Sequence, residues 1–459
     1  MRFIKSSGIF FIGSVLSKAI SFFMLPLYTS YIPTRDMGYY DLSLTYITIA
    51  TSFLFFDIWV ATLRYMYDEN DENKQATSIK SGIFIFMVSS IVFLFLGIIF
   101  SFSFSFESIY LIILYGIFQN IANLFGFCVR GIRKNREFAI SGIINTLVNV
   151  VFNFFLIVKK DMGYEALYLS AIIGFIFQSG YLLFYGKIYI LLLHGKYDCK
   201  LAKEMFKYSL PLCLNSIAYW ILTSLNRIVL NKIYGNEANG IYAIGNKFSF
   251  IIGLITTCFL YAWQDVSFSK SKEKNRGIFY SKASNLYIKF LLGCTFFILP
   301  VIKIFFPLLV NKNYYEAEKT IPLFLMVATI SAISTFIGNI FYAIKETKTI
   351  FISMVISAFF NSVFCYPMIR IFGINGANIT VLISFIMNII IRWYVLKKKI
   401  SFSLESNLIL FIIPLLVSFT IFLKFNIKVN AVFLLMNMIF GIICSRKYLK
   451  TIKNLFKER

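Results

Sequence analysis

Charge is what this sequence has least of. Of its 459 residues only 14% are Asp, Glu, Lys or Arg, against roughly a quarter in an ordinary soluble domain. Histidine occurs once, as His194 in a Lys-rich loop, so no histidine-based metal site can be assembled. The seven cysteines (128, 199, 213, 258, 294, 365 and 444) are scattered, mostly in apolar runs, without a C-x-x-C pair. They read as small packing residues rather than metal ligands or a disulfide framework. No G-x-x-x-x-G-K-[ST] is present to cradle a nucleotide, which disfavours an ATP-driven pump. The ~10-residue alternating strands of a membrane β-barrel are missing too. Neither a cofactor, a nucleotide nor a metal is expected.

What is present is apolar: 59% of the residues are hydrophobic. They fall in runs of about 20, long enough to cross a bilayer. The expected spans are 6–30, 39–63, 81–101, 109–128, 138–158, 165–186, 209–231, 240–262, 283–306, 320–343, 349–369, 376–394, 406–423 and 429–445. Backbone groups in lipid must be satisfied within their own segment, so these runs are helices. The fold class is therefore an all-α membrane protein of about fourteen transmembrane helices. The first run exceeds the ~7–15 residues of a signal-peptide core, and no A-x-A-like site follows, so it reads as a span of the mature chain. The longest connection, 187–208, leaves no room for a soluble domain.

The net charge is +24. With the N-terminus placed in the cytoplasm, 31 of the 45 Lys and Arg fall on the inner side and nine on the outer. The other five (Lys18, Arg227, Lys247, Lys289 and Lys303) lie within spans. This is the asymmetry of cytoplasmic loops, so both termini are expected inside. The basic loops then face anionic headgroups as partners, not nucleic acid.

Two landmarks recur. M-G-Y-Y (37–40) precedes the second span and N-G-I-Y (239–242) the eighth, aligning Gly38 and Tyr40 with Gly240 and Tyr242 at an offset of 202. G-Y-E-A-L (163–167) and G-I-N-G-A (373–377) enter the sixth and twelfth spans at an offset of 210. The expected division is an N-lobe at 1–186, a cytoplasmic linker at 187–208, a related C-lobe at 209–398, and a terminal pair with a basic tail at 399–459. Six spans is an even number, so the halves insert the same way up, and the substrate site is expected near the midplane between them.

Several further motifs stand in order along the chain. They are P-L-Y (26–28), R-G-I-R-K-N-R-E-F (130–138), L-N-R-I-V-L (225–230), N-G-I-Y-A-I-G-N-K (239–247) and A-W (262–263). With these the chain resembles the Wzx-like polysaccharide flippases of the multidrug/oligosaccharidyl-lipid/polysaccharide exporter superfamily. The resemblance implies a V-shaped, two-lobed transporter of the bacterial inner membrane working by alternating access. It implies a cargo of undecaprenyl-diphosphate-linked oligosaccharide, a capsule, O-antigen or related repeat unit, and a polymerase of the same pathway as a partner. Many relatives carry Asp-Arg late in the seventh span; here the pair is Asn226-Arg227, which leaves the arginine without its adjacent counter-ion.

Ionisable residues inside a span cost about 2.5–3.5 kcal/mol at the helix centre and so ask for a reason. Lys18 is central in the first span, with Ser14 and Ser21 on the same stripe, and is a candidate cavity cation for a diphosphate or acidic sugar. Arg227 ends a polar stripe of Asn215, Tyr219, Thr223 and Asn226; its guanidinium suits phosphate, although snorkelling to the interface also explains it. Lys247 is a third candidate cation, about 10 Å deep at 1.5 Å per residue. Asp57 and Arg64, seven apart on the second span, are candidates for a counter-ion or inner gate. Asp41 is a further gate candidate, explained equally by the start of a helix. Asn145, Asn149 and Asn153 read as interhelical hydrogen bonds or as sugar contacts. Arg130 is a candidate guide at the cytoplasmic mouth.

Two other functions compete. An ion-coupled multidrug or organic-cation antiporter would want more membrane carboxylates than this chain offers. A polysaccharide polymerase or ligase would want a sizeable outer loop, and the largest here has about 13 residues. The expectation is a transporter rather than an enzyme.

Overall fold

The computed structural model describes residues 20, 22–68, 71–103, 107–271 and 273–438. Lys18, Ser14 and Ser21 lie outside the described residues, as does the A-x-A-free N-terminal run before residue 20. What is described is helical, with no strand among the described residues. In order the helices are α1 (Leu25–Tyr31), α2 (Thr34–Phe55), α3 (Ile58–Asp68), α4 (Glu72–Ser103), α5 (Ile109–Gly131), α6 (Asn135–Phe154), α7 (Glu165–Phe184) and α8 (Ile188–His194). They continue as α9 (Cys199–Ser269), α10 (Arg276–Leu309), α11 (Ile321–Ala343), α12 (Thr347–Phe372), α13 (Ile374–Ile400), α14 (Ile409–Lys424) and α15 (Ile427–Met438).

Ten helices among the described residues are long and apolar enough to cross a membrane, or eleven if the bent pair α2–α3 is one span. One of these, Cys199–Thr257, has 59 residues, which is nearly 90 Å of helix and about twice what a bilayer core needs. Gly235 interrupts it with φ 78° and ψ −174°, a conformation for which glycine has no Cβ penalty. The chain is thus a multi-pass membrane protein. The total of fourteen is not reached among the described residues: the expected seventh and eighth spans run together in α9, α15 is shorter than a full span, and most of the first expected span falls outside the described residues.

Local chemistry explains the helix ends. Pro33 stands at the N-cap of α2 with Asp36 in its first turn, where a carboxylate meets the positive end of the helix. Lys397, Lys398 and Lys399 fill the last turn of α13 and complement its negative end. Within the spans, hydroxyls are satisfied by their own helix: Thr45 Oγ1 donates to the Asp41 carbonyl at 2.9 Å, and Thr295 Oγ1 to that of Leu291 at 2.9 Å. Lipid contact shows in α4, where 17% of the apolar window is buried against 56% in 312–343. Ile91, Phe95, Ile98 and Phe100 stand exposed on it; in lipid this is an ordinary surface, not a patch awaiting a partner.

The chain divides into two compact units, one of residues 1–243 with 354–377 and one of 244–353 with 378–459. In the first, Phe55, Phe86, Phe93, Cys128, Leu182 and Met205 form a buried cluster, and Tyr115 and Tyr168 anchor another with Ile47, Leu111 and Ile172. Helices α6 and α7 are joined by Asn145 Nδ2 donating to Gln178 Oε1 at 2.8 Å and Tyr181 Oη donating to Glu137 at 2.6 Å. In the second unit Phe336 lies stacked between Trp263 (4.2 Å between centroids) and Tyr287 (4.1 Å).

Candidate functional site

In the first unit α2 and the N-terminal part of α9 run antiparallel, and their contacts form a ladder. Gly38 faces Asn236 and Gly240; Asp41 meets Arg227; the Thr45 carbonyl accepts from Trp220 Nε1 at 3.2 Å; the Ser52 carbonyl accepts from Cys213 Sγ at 3.0 Å. Positions 38, 41, 45 and 52 recur at helical spacing, so one stripe of α2 makes all four contacts. A Cβ on Gly38 would overlap the Asn236 carbonyl oxygen, and one on Gly240 the Thr34 carbonyl oxygen, with the Gly38 nitrogen at 3.2 Å. The two glycines that mark the sequence repeat therefore meet each other, each removing the side chain that would hold the backbones apart.

One turn along from this crossing sits Arg227. Its Nε donates to Asp41 Oδ2 at 2.6 Å, a charge-assisted contact, with the two side chains 15% and 22% exposed. Its guanidinium lies over the Tyr242 ring at 5.6 Å. Nη1 reaches the Thr223 carbonyl at a long 3.5 Å, and Nη2 makes no hydrogen bond among the described residues. The counter-ion missing at position 226 is thus supplied from α2. Asp41 is not at a helix start, as the sequence allowed, because α2 begins at Thr34 and Asp36 takes the first-turn position.

The expected polar stripe on α9 divides. Asn226 is fully buried; its Nδ2 donates to the Ala377 carbonyl at 2.6 Å and its Oδ1 accepts from Asn361 Nδ2 at 2.9 Å. Asn361 also donates to the Ile221 carbonyl at 3.0 Å, so Asn226 is a packing node rather than a wall residue. Tyr219 is exposed, while Asn215 and Thr223 are intermediate, Thr223 Oγ1 donating to the Tyr219 carbonyl at 2.9 Å. In α6, Asn153 is buried and donates to Asn149 Oδ1 of the same helix at 2.7 Å; of the three asparagines Asn145 makes a bond to another helix, to Gln178.

Asp57 and Arg64 do not share one straight helix. Phe56 and Asp57 both adopt left-handed backbone (φ 52° each), and α2 and α3 meet there at 50°. Asp57 Oδ2 accepts from Ser216 Oγ of α9 at 2.6 Å, while Arg64 is exposed on α3. Arg130 ends α5 with its guanidinium against Phe127 and Phe138. Lys247 belongs to the second unit and is exposed.

The sequence reading missed Arg392, counting it with an inner loop. It lies inside α13, 3% exposed. Nε donates to Ser353 Oγ at 3.0 Å, and Nη1 to the Ser334 carbonyl at 2.6 Å and its Oγ at 3.0 Å. Gly338 leaves the space: a Cβ there would stand 2.9 Å from Nη1. The signal was available, since Lys397–Lys399 already supply the end-of-helix charges and put Arg392 more than a turn deeper. Ser216 carried no signal of its own.

Comparison with known proteins places the chain. The chain shares its fold with solved membrane transporters. It matches an inward closed conformation of the lipid II flippase MurJ with a TM-score of 0.72, at 17% identity over 96% of this chain and 99% of that one. An inward-facing multidrug resistance MATE family transporter matches with a TM-score of 0.68, at 13% identity over 87% and 98% of the two chains. Residues 3–263 match the family model described as polysaccharide biosynthesis protein, and the chain belongs to that family. It is also similar to the capsular polysaccharide biosynthesis protein CapF of Staphylococcus aureus, 22% identical over 406 residues, which are 86% of this chain and 99% of that protein.

Proposed function

We propose that this protein is a flippase that carries an undecaprenyl-diphosphate-linked oligosaccharide, the repeat unit of a capsule, an O-antigen or a related surface glycan, from the inner to the outer leaflet. It works by alternating access in the bacterial cytoplasmic membrane, with both termini in the cytoplasm. The family, the similarity to a capsule protein and the fold shared with a lipid II flippase support this reading. The two six-span halves, 1–186 and 209–398, with 399–459 appended, belong to the same proposal, and the meeting of Gly38 with Gly240 supports their relation.

The observation that carries the reading is the state of Arg227. A lone guanidinium in a span costs several kcal/mol, and Asp41 offsets that cost at rest through a single Nε contact. Nη2 makes no hydrogen bond among the described residues, and guanidinium binds phosphate bidentately. A diphosphate arriving at Arg227 exchanges one anion for another, so the site charges and discharges without stranding a bare cation. Lys18 and Lys247 are the further cavity cations of this proposal, Arg130 the inner guide, Arg64 a gate residue.

Deleting the gene tests the cargo. The expected outcome is loss of surface glycan, with the lipid-linked intermediate accumulating on the cytoplasmic leaflet. Unchanged glycan together with altered dye efflux would instead establish an antiporter.

A further inference from the structure

Lys303 lies six residues before the end of α10, about 9 Å into the span at 1.5 Å per residue. The flipping of a cargo held at Arg227 does not use it. Its Nζ meets Glu318 at 3.1 Å and stands 5.0 Å from the centre of the buried Phe422 ring. Glu318 belongs to the short 3-10 helix Lys312–Thr320 that follows α10. Within the second unit this pair lines a cavity of about 510 Å³, walled also by the turn from α14 to α15. That volume is in the range of small-ligand sites, roughly 300–1,000 Å³.

The lining sets hydrogen-bond donors on an apolar floor. Phe306 is buried beneath it and packs on the Tyr315 ring at 5.7 Å. The ammonium of Lys303 has three protons to give, and Glu318 takes one. Lys428 is exposed and makes no hydrogen bond or ion pair among the described residues. Asn426 Oδ1 accepts from the Val429 N–H at 3.1 Å, which leaves its Nδ2 to donate. The exposed Tyr315 adds a hydroxyl. Glu318, the carboxylate of the lining, is already engaged by Lys303. Such a set suits anionic oxygens.

Charge and position select the ligand. Two lysines against one glutamate leave the lining at +1. A phosphodiester, with its single negative charge, matches that; a phosphomonoester carries about −1.5 to −2 near neutral pH. A head bearing an ammonium group would bring a third cation to a lining whose carboxylate is taken. The cavity also lies where spans end, at headgroup depth, and basic pockets between spans hold lipid headgroups. Phe305, Leu308, Leu423 and Ile427, on the same turns, stand exposed toward acyl chains. We propose that this cavity holds one glycerophospholipid with an anionic, ammonium-free head, of the phosphatidylglycerol kind, its phosphate between Lys428 and the Lys303–Glu318 pair. The bound lipid ties α10 to the α14–α15 turn, in addition to the direct bond from Ser418 Oγ to the Phe296 carbonyl at 3.2 Å. It is a resident of the fold, separate from the cargo.

Native mass spectrometry of the full-length protein, incubated in detergent with equimolar phosphatidylglycerol and phosphatidylcholine, tests the site. The expected result is one phosphatidylglycerol retained per protein in preference to phosphatidylcholine. Lys428→Ala should weaken its binding about tenfold, the loss of one charge-assisted contact. Lys424→Ala, at the end of α14 but outside the lining, should bind as the parent does. Both replaced side chains are exposed, so neither variant should disturb folding. Equal retention of the two lipids, or undiminished retention in Lys428→Ala, would overturn the site. Displacement of the lipid by excess glycerophosphoglycerol would mark a site for dissolved phosphodiesters, and displacement by undecaprenyl diphosphate would assign the cavity to the cargo's path. Either would overturn the proposal, and neither bears on whether the protein is a flippase.

Discussion

Two arginines inside spans, one in each unit, are held in opposite ways. Arg227 has a carboxylate partner, one aromatic face and an unused guanidinium edge. Arg392 is more deeply buried, has no carboxylate within ion-pair distance among the described residues, and is held by two serines and a carbonyl. Neutral donors and acceptors fix a guanidinium in one place but do not neutralise it. A carboxylate neutralises it and can be exchanged for another anion. On the proposed function, the difference separates a charge arranged to meet a ligand from one that ties three helices, α11, α12 and α13, together.

The largest expected effect breaks that contrast if it is wrong. Arg227→Met should abolish surface glycan, tenfold or more below the parent, with the protein still inserted, whereas Arg392→Met should leave glycan within about twofold. The first figure follows from losing charge-assisted contacts worth about 1.5–3 kcal/mol. The second follows because Arg392 is held by two serines and a carbonyl, so its loss falls on stability, where a polar group left unpaired costs about 1–3 kcal/mol, rather than on glycan per inserted protein. Glycan quantified alongside membrane protein level checks both.

Next in size is the crossing that sets Arg227 against Asp41. Gly240→Leu forces a side chain into the Thr34 backbone. Overpacking costs about 1–3 kcal/mol, so the melting temperature of the solubilised protein should fall by several degrees and glycan should drop with it. An unchanged melting temperature would mean the two backbones are not in contact.

A subtler change sharpens the role of Asn226. Asn226→Asp recreates the Asp-Arg pair of the resemblance, but an aspartate cannot donate to the Ala377 carbonyl as Asn226 Nδ2 does. Leaving that acceptor unpaired costs about 1–3 kcal/mol, so stability should fall although a second carboxylate is offered to Arg227. Smallest of all, Ser353→Ala removes one of the hydroxyls on Arg392 and should lower the melting temperature by a degree or two, with glycan unaffected.

Much of this was legible in the sequence, and the limits have physical causes. Hydropathy found the spans because lipid demands about 20 apolar residues whatever the fold. Gly38 and Gly240 stood out in the sequence as recurring landmarks, and they sit where two backbones approach too closely for a side chain. Arg227 stood out as a charge in an apolar run, but its partner Asp41 is 186 residues away, and spacing along one helix says nothing about the next. Phe56–Asp57 carries neither proline nor glycine, so the break in the second span left no trace in composition; the contacts α9 makes there through Cys213 and Ser216 come from far along the chain. Arg392 was hidden by its lysine-rich neighbours, which made it look like part of an anchor.

The central claim, that Arg227 engages the diphosphate of the cargo, is tested most directly by binding of undecaprenyl diphosphate to the purified protein in nanodiscs. Arg227→Met should weaken binding at least tenfold relative to the parent, while Arg392→Met binds as the parent does. Equal affinities for the parent and Arg227→Met would contradict the claim.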